Sequence, residues 1–394
     1  MMKQGLTKWQ IAIMSITAGI CVSGIYFNQP LLSDIAGSLH ISEAAAGNIA
    51  VCSQAGYGLG LFFITPLGDK VNRRRLILIL QLLLVFSLIG MSFAQTAWLI
   101  STMSLLVGLF AVAAQVIMPL AALLSPQNKG KVVGTIVTGI LTGILAARVF
   151  SGYIAEWFGW RAVYSISSVL VLLSSFILYF SLPDVPVQFK GNYGQLLRST
   201  LQQIGRFALL RYSAILGALV FGAFCSFWTT LTFHLSGAPF HYGTDVIGLF
   251  GLLAIVGALM APWFGKLADK GNPARSQVIS IAMLITSILC IQFFPNALWA
   301  LVTAVLFLDL GVQATHVTNI AVIYTLDETA HSRINTVYMT SYFIGGAMGT
   351  FVGVQCWKAG GYTGVTWQLL VWSVIALLLA LNRYRQIAKT TATA

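Results

Sequence analysis

Charged side chains are scarce in this sequence. Asp, Glu, Lys and Arg make up 8% of the 394 residues, whereas 58% of the residues are hydrophobic. A protein dissolved in water cannot hide that much apolar surface, because a folded chain of this length still exposes a large part of its area. The composition therefore predicts an integral membrane protein surrounded by a lipid bilayer.

Acidic residues are the rarest charged class, with 10 Asp and Glu against 22 Lys and Arg. A basic excess can indicate nucleic-acid binding, but no basic face with interleaved aromatic residues occurs here. Basic residues that hold loops on the cytoplasmic side of a membrane explain the excess better. We therefore expect no nucleic-acid partner.

Cysteines and catalytic motifs are also few. The five cysteines are scattered among apolar segments and form no CxxC pair, so we predict neither a disulfide nor a metal site. The chain has no Walker motif, which excludes ATP as the energy source, and it has no HExxH sequence or paired carboxylates. We predict that the protein is not an enzyme and needs no cofactor.

Long apolar runs are what the sequence has in abundance. A membrane span needs about 20 apolar residues, and the runs lack the alternation of a β-barrel, so we predict an all-α protein. Twelve runs qualify, at 9–37, 43–67, 74–94, 96–124, 130–157, 160–182, 208–236, 244–268, 276–294, 296–326, 332–357 and 362–383.

The distribution of basic residues predicts the orientation. With the N-terminus inside, 19 Lys and Arg residues fall on the cytoplasmic side, Arg161 and Lys358 fall outside, and Arg148 lies within a span. This asymmetry follows the positive-inside rule. Both chain ends are therefore predicted to be cytoplasmic, in a cell membrane that we take to be a bacterial inner membrane.

The chain also divides into two matching halves. Residues 183–207 form a polar, net basic segment that we predict to be a cytoplasmic linker, with a short surface helix near its end. Six spans precede it (1–182) and six follow it (208–394). Because PLGDKVNRRR after span two recurs as FGKLADKGNPAR after span eight, we predict two pseudo-symmetric six-helix bundles with a substrate site between them. We expect a monomer.

The stretch PLGDKVNRRRLIL (66–78) concentrates five charges within seven positions. A loop that only fixes topology needs basic residues but no Asp, whereas Asp69 recurs as Asp269, followed by Lys270 and Arg275. An Asp here can accept hydrogen bonds at the N-terminus of a neighbouring helix. The repeated acid therefore predicts a specific motif rather than a plain loop.

That motif resembles the loop signature of the major facilitator superfamily, G-x-L-a-D-r-x-G-r-k. Asn72 stands where a second glycine is usual, and Asn tolerates the left-handed conformation. The resemblance implies the twelve-helix major facilitator fold and transport by alternating access. It further implies a conformational latch formed by Asp69, Arg73, Arg74, Asp269 and Arg275.

Four further segments look like the drug- and sugar-efflux, proton-antiporter branch: IYFNQPLLSDIA, ILAARVFSGYIAEWFGWR, DLGVQATHVTNIA and SRINTVYMTSYFIGGAMG. This resemblance implies proton-coupled export of small organic molecules. A proton-linked importer or a uniporter remains an alternative. A scaffold without transport activity is another, but it gives no reason for two matching halves.

Span ten carries the clearest polar pattern. Asp309, Gln313, His316 and Asn319 lie on one helical face, which must point into a bundle or toward water. Asp309 is the only carboxylate deep in a span, so we predict a proton-coupling role for it, which His316 could share. Interhelical hydrogen bonding is the alternative, above all for Gln313 and Asn319.

Arg148 is the only cation deep in a span. It lies at a depth similar to that of Asp309, so we predict an ion pair across the halves and a part in proton coupling. The alternative is that backbone carbonyls and water satisfy the guanidinium within its own half.

Spans one, four, seven and ten line the cavity in the family that this chain resembles. Polar and aromatic residues there are our candidate substrate-binding groups. They are Tyr26, Asn28, Gln29, Gln115, Ser226, Thr230, His234, Gln313 and Asn319, with Tyr338 of span eleven as an aromatic wall.

Overall fold

The computed structural model describes residues 6–183, 192–255 and 272–393. This part of the chain is almost entirely helical and contains no β-strand. Its α-helices are α1 (Lys8–Ser23), α2 (Asn28–Leu39), α3 (Glu43–Phe63), α4 (Leu67–Lys70), α5 (Arg73–Phe93), α6 (Ala97–Ala111), α7 (Ala113–Leu124), α8 (Lys129–Phe158), α9 (Trp160–Ser181), α10 (Tyr193–Arg206), α11 (Ala208–Ser236), α12 (Thr244–Ile255), α13 (Pro273–Phe293), α14 (Leu298–Ile323) and α15 (His331–Thr393).

Ten helical segments in these residues are long and apolar enough to cross a membrane. The longest contains two predicted spans, because α15 has non-helical backbone at Gly360 and Gly361, where φ is −146° and 59°. Glycine adopts a positive φ more readily than any other residue, because it has no Cβ. The all-α membrane architecture is thus confirmed. The predicted span eight runs from 244 to 268, and the structure describes it only as far as Ile255. The predicted count of twelve spans is therefore consistent with the structure, which does not show every span in full.

Side-chain caps mark where several helices begin. Thr7, Ser42 and Thr96 each accept a hydrogen bond from the backbone N–H three residues later, at 3.2–3.3 Å. Such caps satisfy amide groups that have no partner within the helix. The apolar runs therefore have defined starting points as helices.

The chain clusters into two compact units. The first unit comprises Met1–Arg198 and Gly243–Gly248, and the second comprises Ser199–Tyr242 and Leu249–Ala394. The short piece belongs to the first unit because Thr244 at the start of α12 donates its hydroxyl to the Gly152 carbonyl of α8, at 3.2 Å. The domain limits 1–182, 183–207 and 208–394 stay a prediction.

The predicted surface helix of the linker is present as α10. At its C-terminal end, in the second unit, Arg206 Nη1 lies 2.7 Å from Asp327 Oδ2, and this ion pair is largely exposed on the arginine side. The guanidinium also lies 4.7 Å from the ring centroid of Phe207. The end of α10 is thereby fixed to the loop between α14 and α15.

Glycines allow the closest helix contacts in each unit. In the first unit, a Cβ built on Gly143 of α8 would lie 2.4 Å from the Gly19 carbonyl oxygen of α1. In the second unit, a Cβ on Gly349 of α15 would lie 2.2 Å from the Gly222 carbonyl oxygen of α11. Small residues permit this backbone approach in membrane helices, where van der Waals contact drives association.

Replacing Gly349 by Ala is expected to destabilise the protein, because α11 and α15 must separate to admit the methyl group. Overpacking of this kind costs about 1–3 kcal/mol. Gly134 of α8 is the matched control, since a Cβ there meets nothing within 4 Å, and Ala is a better helix former than Gly. Thermal unfolding in detergent should show a lower midpoint for Gly349→Ala only. Equal midpoints in both variants would contradict the close contact.

Candidate functional site

The charged loop after α3 is organised around Arg73. Its guanidinium forms an ion pair with Asp69 Oδ1 at 2.7 Å, and its Nε donates to the Gly68 carbonyl at 2.8 Å. Its Nη1 donates to the Pro119 carbonyl of α7 at 3.3 Å. The Asp69 side chain is 43% exposed and that of Arg73 is 14% exposed. The structure therefore brings together two of the predicted latch residues and ties them to α7.

The remaining latch residues are arranged differently. Arg74 lies over the ring of Tyr179 on α9, at 5.2 Å from its centroid, and donates to the Tyr179 carbonyl. Arg275 is exposed near the start of α13. Asp269 lies outside the described residues. The latch role of all five residues stays a prediction.

The conformation expected for Asn72 is wrong. Its φ is −59°, so the residue is not left-handed; instead it caps α5, accepting a hydrogen bond from Arg75 N at 3.1 Å. Asn272 caps α13 in the same way, accepting from Ala274 N at 3.0 Å, with Pro273 at the first helical position. The repeated Asn therefore serves to start a helix in each half.

The first predicted span is broken close to its polar residues. Helix α1 ends at Ser23, the chain turns through 24–27, and α2 begins at Asn28. Pro30 in the first turn of α2 has no N–H to donate to the Tyr26 carbonyl four residues earlier, which explains the break. Broken helices are characteristic of binding sites in transporters, because they present side chains and backbone groups at mid-membrane.

Three of the predicted site residues meet next to this break. Arg148 of α8 is 2% exposed, and its Nε donates to Gln29 Oε1 at 2.7 Å. Its guanidinium carbon lies 5.7 Å from the ring centroid of Tyr26. A buried guanidinium requires hydrogen-bond acceptors and gains from an aromatic face. The structure thus gives Arg148 partners within the first unit.

Asn28 and Gln115 are both hydrogen-bonded to side chains of α3. Asn28 Nδ2 donates to Ser53 Oγ at 3.1 Å, and Gln115 Nε2 donates to Tyr57 Oη at 3.0 Å. Span four is also interrupted, at Val112 between α6 and α7, just before Gln115. Both amides are therefore positioned by α3. Their predicted role in substrate binding stays a prediction.

Helix α14 carries the polar face predicted for span ten. Asp309 is 2% exposed and Asn319 is fully buried, whereas Gln313 and His316 are partly exposed. Arg148 and Asp309 are the only fully buried Arg, Lys, Asp or Glu side chains in the described residues. A buried charge within a membrane span is costly and usually serves a function.

His316 and Asn319 are joined through α15. His316 Nδ1 lies 3.1 Å from Tyr338 Oη, and Asn319 Nδ2 lies 3.4 Å from the same oxygen. Tyr342 packs beside His316, with ring centroids 4.6 Å apart. The structure therefore brings together two of the predicted binding residues, Asn319 and Tyr338, and the predicted proton-coupling residue His316, and it adds Tyr342.

The predicted binding face of α11 is occupied by contacts inside the second unit. Ser226 Oγ donates to Gln368 Oε1 at 2.7 Å, and Thr230 Oγ1 donates to the Ser226 carbonyl at 2.8 Å. His234 Nε2 lies 2.8 Å from the Pro295 carbonyl oxygen. All three side chains are buried. Their part in substrate binding stays a prediction.

Comparison with known proteins decides the family. The sequence profile of the Major Facilitator Superfamily matches residues 14–354. The chain belongs to the major facilitator superfamily. It is 42% identical over 376 residues to transporter YgaY of Escherichia coli, with 95% of each chain covered. It is 23% identical to inner membrane transport protein YnfM of Escherichia coli, over 98% of this chain and 93% of that one.

A solved structure supports the fold. A bacterial homolog to the human lysosomal transporter Spinster, in an inward-facing and unoccupied conformation, superposes with a TM-score of 0.78 over 97% of both chains. Its sequence identity of 14% shows the major facilitator fold alone. The family and fold predicted from the sequence are confirmed, and this superfamily member is a membrane transporter rather than an enzyme. Its assignment to the efflux branch stays a prediction.

Sequence reasoning missed several polar residues that contact the predicted ones. Ser53 and Tyr57 of α3 hold Asn28 and Gln115, and Gln277 of α13 bonds Asn319 at 2.7 Å. These residues lie in spans two and nine, outside the four spans that the resemblance to the superfamily pointed to. The i, i+4 spacing of Ser53 and Tyr57 was the one available signal, because it places both on one face of α3.

Proposed function

We propose that the protein is a proton-coupled secondary transporter that exports small organic molecules by alternating access. We place it in a bacterial inner membrane with both chain ends in the cytoplasm, as the charge asymmetry of the loops suggests. The inner-membrane name of the relative YnfM and the bacterial source of the relatives support this location. Proton-linked import and uniport are the alternative functions, and a flux screen distinguishes them from export.

The observation that carries this proposal is the pair of buried charges. Asp309 in the second unit and Arg148 in the first are each 2% exposed within apolar spans. A carboxylate in such a place can bind and release a proton as its surroundings change, and a buried Arg can compete with that proton. We assign proton coupling to Asp309, with Arg148 and His316 as the other candidates.

The polar groups near these charges suggest the kind of substrate. Amides, hydroxyls and aromatic rings outnumber fixed charges among the candidate binding residues, so a neutral or weakly charged solute fits best. Tyr26, Gln29, Gln313 and His316 are the most direct candidates, because each lies beside Arg148 or on the face of α14 that carries Asp309.

A flux screen in proteoliposomes tests the proposal. The purified protein is reconstituted and offered a library of organic solutes, with and without an imposed pH gradient. Accumulation against a solute gradient only when a pH gradient is present would support proton coupling. The orientation of the pH gradient that drives accumulation would show whether proton and solute move in opposite directions, as in export, or together, as in import. Equilibration without accumulation indicates a uniporter. If no solute shows flux under any gradient, the transport proposal is rejected and a membrane scaffold without transport activity is the remaining alternative.

Replacing Asp69 by Asn is expected to slow transport about tenfold, which corresponds to about 1.4 kcal/mol of barrier, while the protein stays folded. The variant removes the ion pair with Arg73, and a partly exposed pair contributes only about 0–1 kcal/mol to folding. Asp327→Asn is the control, since it removes another 2.7 Å ion pair, with Arg206. Full transport by Asp69→Asn, measured with a substrate from the screen, would argue against a latch.

A further inference from the structure

A continuous chain of hydrogen bonds runs through the second unit and ends at His316. Tyr212 Oη donates to Gln277 Oε1 at 2.9 Å, and Gln277 Nε2 donates to Asn319 Oδ1 at 2.7 Å. Asn319 and Tyr338 continue the chain to the imidazole. Four residues on α11, α13, α14 and α15 thus form what we call the relay: Tyr212, Gln277, Asn319 and Tyr338.

The Tyr212 end of the relay lies at a cavity. Tyr212 and Gln277 line a cavity of about 370 Å³ together with Pro273, Thr325 and Arg383. Beyond Tyr212 the relay is buried, since Gln277 is 2% exposed and Asn319 and Tyr338 are fully buried. Buried hydrogen-bonding groups favour one arrangement of donors and acceptors, because an unsatisfied group there costs free energy.

The backbone fixes the direction of every bond in the relay. Asn319 Nδ2 also lies 3.3 Å from the Ser213 carbonyl oxygen, which can only accept, so this atom must be the amide nitrogen. Asn319 Oδ1 then needs a donor, and Gln277 Nε2 supplies it. Gln277 Oε1 is left to accept from Tyr212. The carbonyl of Ser213 therefore determines both amide orientations.

The same hydrogen-bond pattern favours one tautomer of His316. Tyr338 Oη accepts from Asn319 Nδ2, so its single hydrogen is available to donate, and His316 Nδ1 lies 3.1 Å away. A nitrogen that accepts carries no hydrogen, so the neutral ring holds its proton on Nε2. Protonating Nδ1 as well would put two N–H donors on one phenol oxygen and leave the phenol hydrogen without His316 as its acceptor.

Nε2 is the ring nitrogen of His316 that the relay leaves unbonded. No residue of the described second unit accepts a hydrogen bond from Nε2, and the side chain is partly exposed. Beside it, Tyr342 lies 4.6 Å from the imidazole centroid and stacks on Phe221 at 3.9 Å with an interplanar angle of 16°. The imidazole ring of His316 therefore lies next to flat aromatic rings.

We propose that the relay holds His316 as its Nε2–H tautomer and so makes it a hydrogen-bond donor to the transported solute. The solute class is an organic molecule that carries an acceptor, such as a carbonyl oxygen, next to a flat apolar or aromatic group that packs on Tyr342. This inference rests on the proposed transport function. It makes His316 a specificity residue, and it makes Tyr338 and Asn319 positioning residues.

The tautomer itself can be measured without any substrate. ¹⁵N NMR of histidine-labelled protein in nanodiscs, assigned with the variant His316→Gln, should show Nδ1 of His316 unprotonated and hydrogen-bonded, and Nε2 protonated. Tyr338→Phe and Asn319→Leu should each shift the Nδ1 signal away from the hydrogen-bonded position. Thr318→Val is the control, because the Thr318 hydroxyl donates only to the Ala314 carbonyl of its own helix, at 2.8 Å.

The solute class is tested with simple probes on the same sample. Acetophenone carries a carbonyl acceptor on a flat ring, ethylbenzene has the ring without the acceptor, and cyclohexanone has the acceptor without the aromatic ring. Acetophenone should shift the Nε2 signal at least about threefold more than either of the others, because Nε2 has no acceptor to exchange within the described second unit.

Three results would overturn the proposal: a protonated Nδ1 in the unaltered protein, an Nδ1 signal that Tyr338→Phe leaves unchanged, or equal responses to the three probes, including no response to any. None of these results bears on whether solute flux occurs in proteoliposomes. Conversely, an Nε2–H tautomer in a protein without flux would reject the transport proposal and keep the relay. The two failures are therefore distinguishable.

Discussion

The variant Asp309→Asn is expected to lose accumulation of substrate driven by a pH gradient, while it still exchanges substrate across the membrane. Asn has the shape of Asp but cannot bind and release a proton at the pH of a cell. Burial disfavours the charged form of a carboxyl group, whereas water or a nearby cation favours it, so a carboxyl that changes environment during transport also exchanges its proton. Removing the carboxyl removes that exchange.

Proteoliposomes separate these two activities. We expect gradient-driven accumulation to fall at least about 100-fold, equal to about 2.7 kcal/mol of lost driving force, with exchange of labelled for unlabelled substrate kept within a few-fold. Asp34→Asn is the control, because it makes the same chemical change at an exposed position on α2. Accumulation by Asp309→Asn with the pH dependence of the unaltered protein would show that Asp309 is structural.

The architecture was predictable because each span is a local property of the sequence. Apolar runs of sufficient length must form helices in lipid, since their backbone groups have no other hydrogen-bond partners. The loop motif at 66–78 and its repeat then gave the family, which the comparisons confirm. The backbone of Asn72 was predicted wrongly, because Asn suits both a left-handed turn and a helix cap, and the sequence alone does not separate the two.

The contacts of the site were less accessible to sequence reasoning. Helical spacing places Asp309, His316 and Asn319 on one face, but it cannot say which neighbouring helix meets that face. Gln29 as the partner of Arg148 and Gln277 as the partner of Asn319 depend on the packing of helices that are distant in sequence. Single amides in apolar runs give no signal of which residue they bond, so only the folded chain identifies these pairings.

The relay also makes His316 a weaker candidate than Asp309 for the role of proton carrier. The sequence predicts Asp309 as the proton carrier and allows His316 to share the role, since both can titrate and both lie on the same face of α14. Tyr338 and Asn319 are arranged to suit a neutral His316 with its Nδ1 as acceptor. We therefore expect His316→Gln to alter substrate selectivity and to leave the dependence of transport on the pH gradient in place, whereas Asp309→Asn should do the reverse.

Replacing Arg148 by Met is expected to reduce transport about 10- to 100-fold, because hydrogen bonds that involve a charged group contribute about 1.5–3 kcal/mol. The variant keeps the length and apolar stem of the side chain but removes the Nε–H that bonds Gln29 and the cation beside Tyr26. Arg148→Lys should be nearly as impaired, since a compact ammonium cannot reproduce the planar fork of a guanidinium.

The control is Arg161→Met at the start of α9, where the Arg161 guanidinium is also bonded to a side chain and a carbonyl and lies 4.1 Å from a Trp160 ring. That residue is predicted to lie outside the membrane, so its loss should change transport less than about twofold, as is usual for exposed charges. If Arg148→Met transports at the unaltered rate, the buried guanidinium has a purely structural role.

The double variant Arg148→Met/Asp309→Asn tests the coupling that the sequence predicts between the two buried charges. If each charge is compensated by the other at some stage of transport, a single neutralisation leaves one charge uncompensated in a medium of low dielectric constant, whereas the double neutralisation leaves none. Protein yield and thermal stability should then be lower in each single variant than in the double variant. Strictly additive losses, as found for independent sites, would mean that Arg148 and Asp309 do not compensate each other.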